Sequence, residues 1–407
     1  MQTSAKWLLP EGIDEVLPPR AQQLDQLCRQ LIDQFASWGY ELVMPPLVEY
    51  LNSLLVGTGE DLELQTFKLT DQLTGRMMGI RADTTPQVAR IDAHNLKRDV
   101  PVRLCYVGSV LHTRPAVHGG TRCPLQIGAE LYGHSGVESD AEILSLLLQT
   151  LNSCGLKTVH VDLGHVGIYR ELINTIGISA EQESVLFDAL QRKATAELEV
   201  AVKNWSIRRQ QAAMLLALLE LNGDSRVLAD ARRLLARAGK RVSNCIDELE
   251  RIAELTQAQS RVAPLYFDLA ELRGYHYHTG MMFSAYIPGQ GQEIARGGRY
   301  DDVGRAFGRA RPAAGFSADI KALFNLVARP QPEPSGIYAP WPKTPQLQKT
   351  IDKLRRAGTK VICQLPGQSG GSAEMGCDRK LVRVKDKWKV MKVKSVKSIV
   401  KSAKRNV

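Results

Sequence analysis

At 407 residues the chain exceeds one ordinary hydrophobic core, so two or three domains are expected. Hydrophobic residues make up 44% and charged residues 24%, as in a soluble globular protein. With no run of about 18 apolar residues and no charged-then-apolar leader, a cytoplasmic protein that enters no membrane is expected. The net charge of +10 sits at one end: from Arg379 onward twelve Lys or Arg face Asp386 alone, which leaves 41 basic and 42 acidic residues on a neutral body. Such a tail can supply non-specific phosphate affinity, and a solvated, fraying terminus is the commoner reading.

The first helical pattern places Leu24, Leu27, Cys28, Leu31, Ile32 and Phe35 on one stripe and stops at Gly39. Tyr40 to Met44 follows as a strand, halted by Pro45 and Pro46. Thr66–Thr70 and Arg76–Ile80 flank a polar turn at Gly75 and form a hairpin, after which Thr85 is expected to cap a helix with Pro86 in its first turn. Arg103 to Gly133 reads as strand, loop and strand. Leu125, Ile127, Ala129 and Leu131 alternate with Gln126, Gly128, Glu130 and Tyr132, so one face packs and the other presents an amide, a carboxylate and a phenol. The basic loop between these strands holds Arg114, His118, Gly119, Gly120 and Arg122 and could cover an anion; a surface hairpin with one wet face is the alternative.

A leucine-rich helix from about Asp140 closes at Gly155, and Thr158–Asp162 is a strand. The pattern from Ser179 to Gln257 is all helical and reads as an inserted bundle. Strands return at Leu265–Leu269 and Met281–Tyr286, followed by an apolar helix from Ala318 to Ala328. Beyond the linker Pro330–Gly336, GIYAP, the helix Leu347–Ala357 and TKVICQL form a small βαβ unit, and KLVRV and WKVMKV suggest a hairpin within the basic tail. The Gly-rich stretch Gly367–Gly371 lacks the spacing of a phosphate cradle. Charge confined to the tail predicts that residues after about Gly376 are dispensable for self-association. Seven cysteines without a CxxC pair, and eight histidines without ligand spacing, predict reduced thiols and no metal or other cofactor.

Several of these segments resemble histidyl-tRNA synthetase motifs. PEGIDEVLPP (Pro10–Pro19) is similar to its amino-terminal signature, GYELVMPPLVEY (Gly39–Tyr50) to its first motif, and IRADTTPQVAR (Ile80–Arg90) to its amino-acid loop. The Arg103–Gly133 segment is similar to the second class II motif, and LRGYHYHTG (Leu272–Gly280) and ARGGRYDDVGRAFG (Ala295–Gly308) to the two histidine motifs. The resemblance covers roughly residues 8 to 325. It implies an α+β fold: a class II aminoacyl-tRNA synthetase-like antiparallel sheet flanked by helices, over residues 1–178 and 258–329, with a helical insertion at 179–257 and a small C-terminal α/β domain at 336–407. It also implies a homodimer through the first helix and strand, and a histidine pocket of Asp83, Thr85, Gln126, Glu130, Arg273, Tyr277, His278 and Tyr300.

Two departures separate the chain from the enzymes. The two arginines that hold ATP phosphate there align with Leu111 and Ala322 here, and only about 70 residues stand where the anticodon domain would be. Loss of one preorganised cation lowers such a rate roughly 100- to 1000-fold. Asp83, one methylene shorter than the usual Glu, and His278, in place of a tyrosine, alter the pocket. A retained histidine pocket without ATP arginines resembles the regulatory subunits of ATP phosphoribosyltransferase. That likeness implies a non-catalytic protein, a short-form catalytic subunit as partner in a hetero-octamer, histidine as feedback effector, and no nucleic-acid partner. An active histidyl-tRNA synthetase and an RNA-binding synthetase-like module are the alternatives.

Overall fold

The computed structural model describes residues 7–56, 60–115, 120–259, 264–275, 277–327 and 335–393, with residues 60 and 61 described by their backbone alone. His118 and Gly119 of the basic loop, Ala328 at the expected helix end, linker residues 330–334 and the tail beyond Val393 lie outside them. Contacts divide the chain into two compact units, Met1–Ala328 and Arg329–Val407.

The first unit opens with α1 (Arg20–Ser37), which buries Leu24, Leu27, Cys28, Leu31 and Phe35 as one stripe and ends near Gly39, whose φ of 84° suits glycine. Strand β1 (Glu41–Leu42) is shorter than expected because only its two residues find strand partners, Leu104 and Cys105, before Pro45 and Pro46. A small sheet of order β2-β4-β3 follows, built from β2 (Val48–Tyr50), β3 (Phe67–Thr70) and β4 (Met77–Ile80); α2 (Leu51–Leu54) and α3 (Glu60–Gln65) connect β2 to β3. Helix α4 (Thr85–Arg90) corrects the expected cap. Thr85 is its first helical residue, and the Asp83 carboxylate accepts the Thr85 N–H at 3.1 Å.

Strands β5 (Val102–Ser109) and β6 (Leu125–Tyr132) are the expected antiparallel pair. They lead through α5 (Val137–Ser153), β7 (His160–His165) and α6 (Val166–Ile176) into the insertion. This comprises α7 (Ala180–Gln191), α8 (Thr195–Asn204), α9 (Arg209–Glu220), β8 (Asn222–Gly223), α10 (Arg226–Leu234) and α11 (Lys240–Gln259). It is not wholly helical: Asn222 and Gly223, both poor helix formers, pair with β9 (Leu265–Asp268) and hook the bundle onto the sheet edge. Strands β10 (Met281–Tyr286), β11 (Glu293–Arg299) and β12 (Ala313–Asp319) complete the sheet before α12 (Ile320–Leu326). Ala318, expected in that helix, is a strand residue. The Asp319 carboxylate accepts the N–H groups of Lys321 (2.9 Å) and Leu125 (3.1 Å) and so fixes the helix start.

The nine strands run β1-β5-β6-β12-β11-β10-β7-β9-β8, antiparallel from β5 to β7. Ile127, Ala129 and Leu131 join the large core with α1, α5, α11 and α12 on one face. On the other, Tyr106, Tyr132 and Tyr300 form a smaller cluster with Val88 of α4 and Val303. The site lies on this second face.

The second unit is a four-stranded sheet of order β14-β13-β15-β16, formed by β13 (Ile337–Ala339), β14 (Val361–Cys363), β15 (Arg379–Val384) and β16 (Lys387–Lys392), with helix α13 (Pro345–Arg356). The hairpin expected from KLVRV and WKVMKV is β15 and β16, and it is part of this sheet. β15 pairs with β13, and Leu381, 2% exposed, enters the core of Ile337, Ala339, Leu347, Ile351 and Val361. Seven of the twelve terminal cations lie on this hairpin. Their charge does not prevent pairing, because a half-buried strand needs only one apolar face.

Candidate functional site

Strand register builds the floor of the site. From Glu130 on β6 the row passes to Gly315 on β12, Gly298 on β11, Met282 on β10 and Gly164 on β7. Glycine is needed here because neighbouring side chains lie flat on the sheet. A Cβ on Gly315 would fall 1.8 Å from Glu130 Oε2 and 2.0 Å from the Tyr300 hydroxyl, and one on Gly128 would fall 2.3 Å from the Tyr106 hydroxyl.

Seven of the eight expected residues gather on this floor. Gln126 donates from Nε2 to Asp83 Oδ1 (2.8 Å) and accepts at Oε1 from the Thr84 N–H (3.0 Å). The Thr85 and Tyr106 hydroxyls lie 3.2 Å apart, and Tyr106 donates to Glu130 Oε1 at 3.3 Å. Tyr277 packs against Tyr300 and His278, with ring centroids 5.1 and 5.8 Å apart. Tyr106 was missed in the sequence; its signal is its place in the β5 alternation opposite Gly128.

Electrostatics give this group its character. Glu130 is fully buried; burial, reinforced by the charge of Asp83, holds its carboxyl well above the usual carboxylate range. Glu130 Oε2 and the hydroxyls of Tyr132, Tyr277 and Tyr300 are buried with no hydrogen-bond partner among the described residues. Four orphaned polar atoms around one floor constitute a place for a ligand with several N–H donors and at least one acceptor. Burial lowers His278 to about 4, so its ring is neutral. Its Nδ1 lies 3.0 Å from the Gly274 carbonyl, which can only accept, and therefore carries the proton. Nε2 is left as an acceptor.

Arg273 does not join them. Its guanidinium, 54% exposed, donates to the Tyr286 hydroxyl (2.7 Å) and lies 3.5 Å from Glu271 and 3.7 Å from Glu293. It lines a different cavity, of about 740 Å³, with His160, Asp162 and Lys193. The displacement follows from strand geometry: Tyr286 is at the far end of β10 from Met281, about 17 Å along the strand. A single amino acid spanning Glu130 and Arg273, as the sequence suggested, does not fit this arrangement.

The two positions where ATP arginines stand in the enzymes carry no charge: Leu111 is half-buried and Ala322 is exposed on α12. Three cations of the surrounding loops and helices are committed elsewhere. Lys321 donates to Asp14 (2.9 Å) and the Cys123 carbonyl (2.7 Å), Arg81 to the carbonyls of Pro45 and Ser109 (2.9 Å each), and Arg122 to those of His112 (3.0 Å) and Glu11 (3.2 Å). Lys321 therefore does not replace a phosphate-holding fork.

This sheet and its glycine floor are those of a class II synthetase-like core. Residues 12–323 match the histidyl-tRNA synthetase family model. A histidyl-tRNA synthetase from Nostoc, 17% identical, superposes with a TM-score of 0.77 over 98% of this chain and 99% of that one. Residues 334–391 match the C-terminal domain of the ATP phosphoribosyltransferase subunit HisZ. An ATP phosphoribosyltransferase regulatory subunit from Thioalkalivibrio sulfidiphilus is 57% identical over 96% of this chain and 99% of its own length. The corresponding protein of Nitrosococcus oceani is 51% identical over 97% and 99%. A solved structure described as an ATP phosphoribosyltransferase regulatory subunit/histidyl-tRNA synthetase, from Bacillus halodurans, is 26% identical with a TM-score of 0.80, covering 91% of this chain and 96% of that one. The chain belongs to the ATP phosphoribosyltransferase regulatory subunit family.

Proposed function

We propose that this chain is the non-catalytic regulatory subunit of an ATP phosphoribosyltransferase in histidine biosynthesis, and that free histidine, its feedback effector, binds over the glycine floor. The observation that carries this reading is the set of orphaned Glu130, Tyr277 and Tyr300 oxygens over the glycine floor, in a chain whose two ATP-arginine positions hold the uncharged Leu111 and Ala322. The pocket keeps the groups that suit an imidazole and an ammonium, and those two positions lack the cations that would stabilise a reacting phosphate. Asp83 and Glu130 are matched to the cationic end of the ligand, and the hydroxyls of Tyr277 and Tyr300 can serve its carboxylate and ring.

The partner is a short-form catalytic subunit, in a hetero-octamer with dimers of this chain. Leu42, Met44 and Leu47, between 39% and 79% exposed, offer an apolar patch at the β1 edge for that dimer. Among the described residues no helix is long and apolar enough to cross a membrane, and a cytoplasmic location fits a biosynthetic role. Two measurements test the assignment. The isolated chain is expected to bind histidine by calorimetry and to catalyse no histidine-dependent exchange of pyrophosphate into ATP. The complex reconstituted with a short-form catalytic subunit is expected to be inhibited by histidine; exchange by the pure chain, or a complex indifferent to histidine, would overturn it.

A further inference from the structure

Tyr277 and His278 belong to the segment between β9 and β10, whose contacts reach beyond the sheet. From α6, the Arg170 guanidinium donates to the carbonyls of Tyr275 (3.4 Å) and His278 (3.1 Å) and lies 5.1 Å from the Tyr275 ring centroid. Tyr275, 8% exposed, sits between Tyr169 and Phe187, with centroids at 5.3 and 5.6 Å, and its hydroxyl donates to Glu183 Oε1 at 3.0 Å. Glu183 and Phe187 are on α7, the first helix of the insertion, and the Tyr169 hydroxyl donates to the Glu183 carbonyl at 3.3 Å. The same short segment thus meets the insertion through Tyr275 and the pocket through Tyr277 and His278. Turn bonds from the N–H groups of Tyr277 and His278 to the Gly274 carbonyl (2.8 and 2.9 Å) tie these two residues back to the start of the segment.

We propose that Tyr275, held by α7 of the helical insertion, and Arg170 of α6 are positioning residues that keep Tyr277 and His278 ready for the ligand, so that occupancy of the pocket and order in α7 are coupled. The inference rests on the histidine reading above and gives the insertion a role in it. If the segment is loosened, a ligand must order it on binding and affinity falls; by reciprocity, a bound ligand tightens α7.

The test uses the full-length chain, histidine calorimetry and hydrogen exchange with and without histidine. Glu183→Ala removes a half-buried carboxylate on α7 and no pocket residue, and thermal unfolding checks that each variant folds. In the wild type, histidine is expected to slow exchange both in residues 272–280 and in α7. In Glu183→Ala, affinity is expected to fall about fivefold, the share of a modest lost hydrogen bond, and α7 loses its histidine-dependent protection while residues 272–280 keep theirs. Arg170→Met should weaken binding further, and Arg170→Lys should restore part of it, because an ammonium still reaches one carbonyl. Wild-type affinity together with unchanged α7 protection in Glu183→Ala and Arg170→Met would overturn the coupling alone. A wild-type chain that binds no histidine would overturn the pocket reading and the coupling with it.

Discussion

Glu130 concentrates the pocket's chemistry in one residue. Its folded carboxyl is held above the ordinary range by burial, so the folded chain keeps this proton more tightly than the unfolded chain does. The stability associated with that proton is fully present below the unfolded value and is lost as pH rises through the folded one. Glu130→Gln removes the titration, and the unliganded variant is expected to gain in melting temperature relative to wild type as pH rises above the ordinary carboxylate range. Histidine binding should show the converse. A cationic N–H placed on Glu130 draws it into the ionised form, so wild type is expected to release up to one proton on binding, read from binding heats in buffers of different ionisation enthalpy. Glu130→Gln should release none and bind roughly 10- to 150-fold more weakly, having lost a charge-assisted hydrogen bond. Equal proton release in both proteins would place the titrating group elsewhere. Alternation along β6 made Gln126 and Glu130 legible in the sequence, since period two needs no tertiary information. The direction of Arg273 was not legible, because it depends on which end of β10 the preceding segment reaches.

Between elements, Arg299 joins β11 to the start of α5. Only 7% exposed, it lies 2.8 Å from Asp140 and 3.2 Å from Asp301 and donates to the carbonyls of His134 and Gly136 (3.2 Å each) and to Ser139 (2.9 Å). Tyr300 follows it directly, so the anchor also places a pocket side chain. Burial pushes Asp140 up to about 6 even with this partner. Arg299→Met leaves that carboxylate buried and unpaired, and chemical denaturation is expected to show a loss of about 3–5 kcal/mol near neutral pH. Because protonation relieves an unpaired carboxylate, the loss should shrink as pH falls toward about 5; a loss independent of pH would assign it to packing. Sequence periodicity located most helices and strands but misjudged places where a side chain outweighs it. The Asp83 carboxylate accepts the N–H of Thr85, the residue expected to be the cap, and Asp319 caps α12 directly after Ala318, which apolar composition had assigned to the helix.

At the scale of the whole chain, the sequence separated a synthetase-like core from a small second unit, and alternation in KLVRV and WKVMKV placed a hairpin near the end of the latter. Positive charge alone does not distinguish strand from tail beyond Arg379; pairing assigns Arg379–Lys392 to the sheet. Net charge is summed over both faces of a strand, and pairing is decided by one. Arg379 and Lys380 pair with Ile337 and Tyr338, and Leu381 completes the core beside Ile351 and Val361. Removing all residues after Gly376 deletes two of four strands and exposes that core; burial of Leu381 alone is worth about 1.5–3 kcal/mol. A unit this small has little stability to spare. Truncation after Gly376 is therefore expected to unfold residues 335–376, seen as rapid hydrogen exchange and protease cleavage there, while the core unit keeps its melting transition and its self-association. Truncation after Val393 removes five of the twelve cations and no described strand, and should leave exchange in both units unchanged. If the shorter chain protected residues 335–376 as well as the longer one, β15 and β16 would be an accessory hairpin and the remaining βαβ unit would carry its own core.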